Sequence, residues 1–455
     1  MRSFKHLLKL NKRIELKNLF STFFNNSSTG GILLLICVII ALVVANNPAW
    51  APAMDILNVE IGFSFGRFQF EMTLLHWIND GLMTIFFLVV GLEIKREMLV
   101  GELSSFKQAA LPIFAAIGGM VVPAALYLVF NNDTPSENGW GTPMATDIAF
   151  ALGILSLLGK RVPLALKVFL TALAIVDDLG AIIVLAVFYP THAINTELLL
   201  YSGILFTTLL VFNRINIKKP AMYIVPGVIL WFLILGSGIH ATIAGVLLAI
   251  TIPGRSKINE VRFIVGSRYL LNKFASASDN RLSVLSNHEQ QQAIHSLHKK
   301  LDQVHPLMIK VEHILHPWVT YFIMPVFALA NAGVILDPGL FKHSLAPIVP
   351  GIFFGLLLGK PLGILIASWI AVKLKIAVLP GDMTWSHVFS VGIIAGIGFT
   401  MSIFIDNLAF TDQKIINMGK MTIIGTSFIA AIIGLSAILL TTRNKEQTTN
   451  NKEER

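Results

Sequence analysis

The 455-residue chain is 55% apolar and only 13% charged, about half the charged share of an ordinary globular protein. A soluble fold of this length needs far more polar surface, so the composition fits a protein dissolved in a bilayer. The net charge of +9 does not indicate nucleic-acid binding, because the cations collect on one side of the apolar runs.

Residues 1–26 mix Phe4, Leu7, Leu8, Ile14 and Leu19 with six cations and lack the continuous apolar stretch of a signal peptide. They are expected to lie on the cytoplasmic headgroups as an amphipathic segment. Twelve runs can cross ~30 Å of hydrocarbon. They fall near 30–47, 74–93, 108–130, 142–158, 163–188, 198–213, 221–236, 239–253, 309–332, 346–372, 386–405 and 416–440. An even number puts both termini on one side. Arg2, Lys5, Lys95, Arg96, Lys107, Lys160, Arg161, Arg214 and Lys218 share that side, which the positive-inside rule makes the cytoplasm. The expected organisation is a cytoplasmic N-terminus (1–26), one transmembrane domain (27–440) and a cytoplasmic tail (441–455), in an all-α polytopic fold.

Cys37, the only cysteine, falls in the first run, so no intrachain disulfide can form. Between the first two runs, residues 58–72 alternate Val59, Ile61, Phe63, Phe65 and then Phe68, Phe70, Met72. The phase changes across Gly66-Arg67, as a two-residue turn requires, and predicts an outer β-hairpin. Its aromatic face needs cover from lipid or a second subunit. The fourth run opens on Gly139-Trp140-Gly141-Thr142-Pro143, and the eleventh carries Gly392, Gly396 and Gly398 at its centre. With runs 3-4-5 and 10-11-12 taken as two units, these interruptions fall at matching places. That is the mark of an inverted-repeat transporter with its site at the breaks.

Asp147, Asp177 and Asp178 lie within apolar runs. Each costs roughly 2.5–3.5 kcal/mol at a helix centre, so they are expected to be used. Neighbouring residues point ~100° apart on a helix, so Asp177 and Asp178 can face different partners. Lys360, alone in GIFFGLLLGKPLGILIASW, is the candidate cation. A carboxylate pair in a dry cavity binds a proton or a hard cation, not both, and Thr146 with freed carbonyls can add oxygen ligands. That competition is sufficient for antiport. His240 reads as a packed, hydrogen-bonded histidine. Residues 255–308 form a polar cytoplasmic loop whose second half (Leu285, Ala293, Leu297, Leu301, Val304) has helical spacing. His288-Glu289 is no zinc motif, because position 292 is Gln.

Several segments resemble the NhaA family of Na+/H+ antiporters: GLEIKREMLVGEL (91–103), ATDIAFALGILSLLG (145–159), LAIVDDLGAII (173–183), SGIHATIAGV (237–246), EHILHPWV (312–319), LGKPLGI (358–364) and GIGFTMSIFI (396–405). The resemblance runs from about 27 to 440. It implies twelve helices in inverted repeats, with discontinuous helices 4 and 11 crossing at the midplane. It assigns Asp177 and Asp178 to ion and proton binding, Lys360 to the partnering of Asp177, and Thr146 and Asp147 to the crossing. Pro143, Gly392, Gly396 and Gly398 mark the helix breaks. Glu93, Arg96, Glu97, Glu312, His313 and His316 match a cytoplasmic cluster linked to activation by pH. By the same resemblance the hairpin supports a homodimer in the bacterial inner membrane. Exchange of Na+ or Li+ for H+ is then expected to be electrogenic and alkaline-activated, with no cofactor and no nucleic-acid partner. The 255–308 loop is longer than the family leads one to expect.

Two other readings fit less well. An intramembrane aspartyl protease brings its two aspartates from separate helices onto one water, whereas this pair shares a helix beside a lysine. A passive channel has rings of charge or carbonyls rather than interrupted helices with an Asp–Lys pair.

Overall fold

The computed structural model describes residues 27–66, 68–190, 192–256, 258–278, 283–335, 346–380 and 383–453. The amphipathic segment expected over 1–26 lies outside them. The order is α1 (Ser27–Asn46), β1 (Glu60–Phe65), β2 (Phe68–Thr73), α2 (Leu74–Val100) and α3 (Phe106–Asn131). A 3-10 turn (Glu137–Met144) then leads into α4 (Ile148–Leu157), α5 (Leu164–Phe188), α6 (Thr196–Arg214), α7 (Ala221–Ser237) and α8 (Ile243–Thr251). Two polar helices, α9 (Glu260–Ser276) and α10 (His288–Val304), precede α11 (Leu307–Asn331) and α12 (Ile348–Lys373). The chain closes with α13 (Trp385–Ala395), α14 (Phe399–Ala409) and α15 (Gln413–Glu453).

Among the described residues, eight helices are long and apolar enough to cross a membrane, and α13 with α14 makes a ninth if that pair, bent by 51°, is one span. The other expected spans do not reach that length as single helices. The fourth is divided between the 3-10 turn and ten-residue α4, the seventh is α7 with 17 residues, and the eighth is α8 with nine. The outer faces are apolar. Leu200, Ile204 and Val211 of α6 and Ile224, Val225 and Val228 of α7 are all at least half exposed. A belt of that kind is stable only against hydrocarbon.

The strands pair antiparallel from Glu60↔Thr73 to Phe65↔Phe68, with Gly66 at φ 62° in the turn, where a side chain is disfavoured. Phe70 packs edge-on against Trp77 and Phe232, which ties the hairpin to α2 and α7. Asn331 of α11 links this end to the second broken helix. Its Nδ2 donates to Asn79 Oδ1 (2.8 Å), while Asn407 Nδ2 donates to Asn331 Oδ1 (2.8 Å).

Glycine sets the closest helix pairing. A Cβ on Gly363 of α12 would stand 2.1 Å from the Gly118 carbonyl oxygen of α3, and one on Gly359 2.8 Å from Pro123 Cα. Small residues at such spacing let two backbones touch, and van der Waals packing then holds the helices where lipid offers no hydrophobic drive. A π turn, Gly355–Gly359, immediately precedes Lys360. Inserting a residue there re-aims the lysine toward the bundle interior. The 255–308 segment folds as α9 packed on α10, with Leu270 and Ala293 buried and Gln290 Nε2 donating to the Phe274 carbonyl (3.2 Å).

Candidate functional site

The two interrupted segments meet. After the 3-10 turn, Ala145 to Asp147 run extended, and after α13 the chain breaks at Gly396–Gly398 before α14 begins. The Asp147 N–H donates to the Ile397 carbonyl (2.8 Å), joining the two breaks. Each break exposes backbone groups that a continuous helix would satisfy internally, and each supplies partners to the other. The glycines are needed for contact. A Cβ on Gly396 would lie 2.4 Å from the Leu356 carbonyl oxygen, and one on Gly392 2.8 Å from Pro361 Cα. Pro143, buried at the end of the 3-10 turn, packs against Gly355 one turn before Lys360.

Asp147 is the N-cap of α4, its Oδ1 accepting from the Phe150 N–H (2.9 Å). Its Oδ2 accepts from the Thr400 N–H (3.1 Å) and from the Thr400 hydroxyl. One carboxylate therefore serves the N-termini of both α4 and α14, where the peptide dipoles favour negative charge. Thr400 was not legible as a partner in the sequence. Its position two residues past Gly398 is the only signal of it.

Asp177 and Asp178 sit in α5 with 1% and 2% of their surface exposed, and Lys360 is wholly buried. The Lys360 ammonium donates to Asp177 Oδ2 (2.6 Å) and to the Met144 carbonyl. The Thr146 hydroxyl lies 2.7 Å from the same Asp177 oxygen and 2.9 Å from the Ala395 carbonyl, its one proton shared between two acceptors. Asp177 Oδ1 and Asp178 Oδ1 have no partner among the described residues. The pair on one helix therefore divides as the spacing predicts. One carboxylate is held by the lysine and Thr146, and the other has an oxygen left without a partner among the described residues. Two unpaired carboxylate oxygens in a dry site are costly unless a proton or cation occupies them.

The predicted cluster at the other end of α2 also assembles in large part. Arg96 donates to Glu312 Oε1 and lies 3.3 Å from Glu97 Oε1, while His316 Nε2 stands 3.9 Å from Glu93 Oε1. Among the described residues Glu312 Oε2 is buried without a partner. His313 is exposed and joins none of these contacts. Beside them Lys95, read from the sequence only as a topological charge, donates to the Ile250 carbonyl (2.6 Å) and to those of Ala249 and Ile252. It caps the C-terminus of α8, where a cation complements the dipole. His240 is buried, with Nδ1 3.4 Å from Thr242 Oγ1 and 3.9 Å from Asp80 Oδ1.

A buried carboxylate absent from the sequence reading is Asp406 on α14, fully buried with neither oxygen hydrogen-bonded among the described residues. It ends the apolar run of α14, where IDN reads as the edge of a span rather than its interior.

Over most of its length the chain is similar to known transporters. A Na+/H+ antiporter NhaA of Oleidesulfovibrio alaskensis is 48% identical over 406 residues, covering 89% of this chain and 90% of that protein. One from Wolinella succinogenes is 46% identical over 407 residues, 90% of each chain. One from Helicobacter pylori is 46% identical over 399 residues, 87% of this chain and 89% of that protein. The family model described as Na+/H+ antiporter 1 matches residues 21–438, and the chain belongs to that family of transporters.

Proposed function

We propose that this protein exchanges cytoplasmic Na+ or Li+ for external H+ across the bacterial inner membrane, at a site formed by Asp177, Asp178, Asp147 and Thr146. The observation that carries the reading is the division of labour on α5. Asp177 is pinned by Lys360 and Thr146, while Asp178 Oδ1 is buried without a hydrogen-bond partner among the described residues. An alkali cation arriving there finds carboxylate oxygens, the Thr146 hydroxyl and carbonyls freed by the breaks, the hard oxygen donors it requires. Protons compete for the same oxygens, so binding one expels the other. If both aspartates release protons for one monovalent ion, each cycle moves net charge and the membrane potential drives exchange.

The topology that serves this chemistry is twelve spans with both termini cytoplasmic. The broken fourth and eleventh spans cross at the midplane, so the site can open to either side by rocking of one repeat on the other. The Arg96–Glu312–Glu97 and Glu93–His316 contacts lie at the cytoplasmic mouth and couple its opening to alkaline pH. Two copies pair through the hairpin as a homodimer.

The test is Na+-induced collapse of a respiration-driven pH gradient in everted vesicles at neutral and alkaline pH, with Asp178→Asn in parallel. Collapse by the native protein at alkaline pH, absent in the variant, supports both the activity and the site. No response to Na+, Li+ or K+ from protein shown to be in the membrane contradicts them.

A further inference from the structure

Asp406 is the deeply buried carboxylate that the ion site leaves unused. Resting on the antiport reading above, we propose that Asp406 is a second proton-binding site. It lies on the route from the Asp177/Asp178 site to the hairpin end of the bundle.

Its surroundings accept a proton better than they accept any other ligand. Asp406 is fully buried, and neither carboxylate oxygen has a hydrogen-bond partner among the described residues. The carboxylate lies against the backbone of α15, because a Cβ on Gly419 would stand 2.3 and 2.5 Å from its two oxygens. Lys420, the next residue, is the cation that acts on it, yet it hydrogen-bonds neither oxygen. Tyr127 of α3 and Tyr189, just past the end of α5, are within electrostatic reach, but both hydroxyls are already committed as donors. Tyr127 donates to the Ser136 carbonyl (2.6 Å) and Tyr189 to that of Asn138 (2.7 Å). The remaining elements on α14 bring Asn331, which is uncharged, Glu137, which is exposed, and His240, whose buried ring packs on Phe404.

An ionised carboxylate without a donor is expensive in such a place, and one added proton removes the cost. A Na+ ion, by contrast, needs several oxygen ligands at once, whereas a single proton satisfies the carboxylate alone.

The groups between Asp406 and the ion site are polar. Ser402, one turn back along α14, donates to the Thr142 carbonyl (2.8 Å). Thr142 is wholly buried with its own hydroxyl unpartnered among the described residues. Two residues on, the Met144 carbonyl accepts from Lys360, which holds Asp177. Asp406 is thus coupled to the pair through Ser402, the Thr142–Met144 backbone and Lys360, and a proton held on Asp406 acts on the pair through the charge and position of that segment.

The test uses the full-length protein in liposomes. Infrared difference spectra of native protein against Asp406→Asn at neutral pH should show a protonated-carboxyl C=O band present only in the native. Na+-driven proton flux should persist in Asp406→Asn but run several-fold slower. Its dependence on pH at the hairpin side should shift toward acid, while the half-saturating Na+ concentration at the opposite side holds. Asp178→Asn in the same preparation should give no flux. If the native protein itself gives none, the antiport reading fails and the infrared band alone decides the proton site. No acid band lost, or a flux profile identical to native, overturns the proposal. Should Asp406→Asn not reach the membrane, Lys420→Gln replaces it. A proton site predicts that this variant accumulates, keeps the acid band and shifts its flux profile toward alkaline pH. A merely structural Asp406–Lys420 pairing predicts that it too is lost.

Discussion

The Lys360–Asp177 contact decides how the site is built. Taking one partner from a buried ion pair strands the other and costs about 3–5 kcal/mol. Purified Lys360→Gln should therefore melt well below the native protein. Asp177→Asn combined with Lys360→Gln should recover much of the loss, since the neutral pair leaves no charge uncompensated. A double variant no more stable than the single would show that the two do not act as a pair. Asp147 has a different task, accepting from Phe150, Thr400 N–H and the Thr400 hydroxyl at once. Asp147→Asn turns one acceptor into a donor facing a donor, a loss of about 1–3 kcal/mol. Exchange in that variant should be slowed rather than abolished, as read by initial rates in vesicles. Asp147, Asp177, Asp178 and Lys360 were legible in the sequence because a charge inside an apolar run has no bland explanation. Asp406 was not, because it stands where an apolar run ends, and only the packing of Gly419 on it shows that it is interior.

Between elements, the seam of α3 and α12 fixes where Lys360 reaches. Gly363→Leu would drive a side chain into the Gly118 carbonyl, whereas Gly425 on α15 has nothing within 4 Å of its added Cβ. Gly363→Leu should fail to accumulate in the membrane while Gly425→Leu accumulates normally, measured by quantitative immunoblot. Equal yields would contradict the seam. The long spans were legible as continuous apolar runs, and the interruptions as glycine and proline inside two of them. The π turn before Lys360 and the capping of α8 by Lys95 were not. Both depend on how one helix meets another, which no local pattern records.

At the scale of the molecule, the α9–α10 pair is fastened to α11 by Lys310, whose ammonium donates to Asp302 (3.0 Å) and holds that carboxyl below its ordinary value. A depressed carboxylate contributes above its unfolded pKa and loses its contribution as pH falls through the lower folded value. The fastening should therefore stay closed from neutral to alkaline pH and open only in acid. Limited proteolysis of residues 258–304 should be even across the neutral and alkaline range. Cleavage that accelerates on alkalinisation would instead make this segment part of the pH response.

The central claim is that Na+ and protons compete for the carboxylates of α5. Calorimetric titration of the purified protein with Na+, in buffers of different ionisation enthalpy, counts the protons displaced by each ion bound. The account predicts that Na+ binding releases protons and that Asp178→Asn loses both the binding and the release. Na+ binding unchanged by buffer, with no proton released, would contradict it.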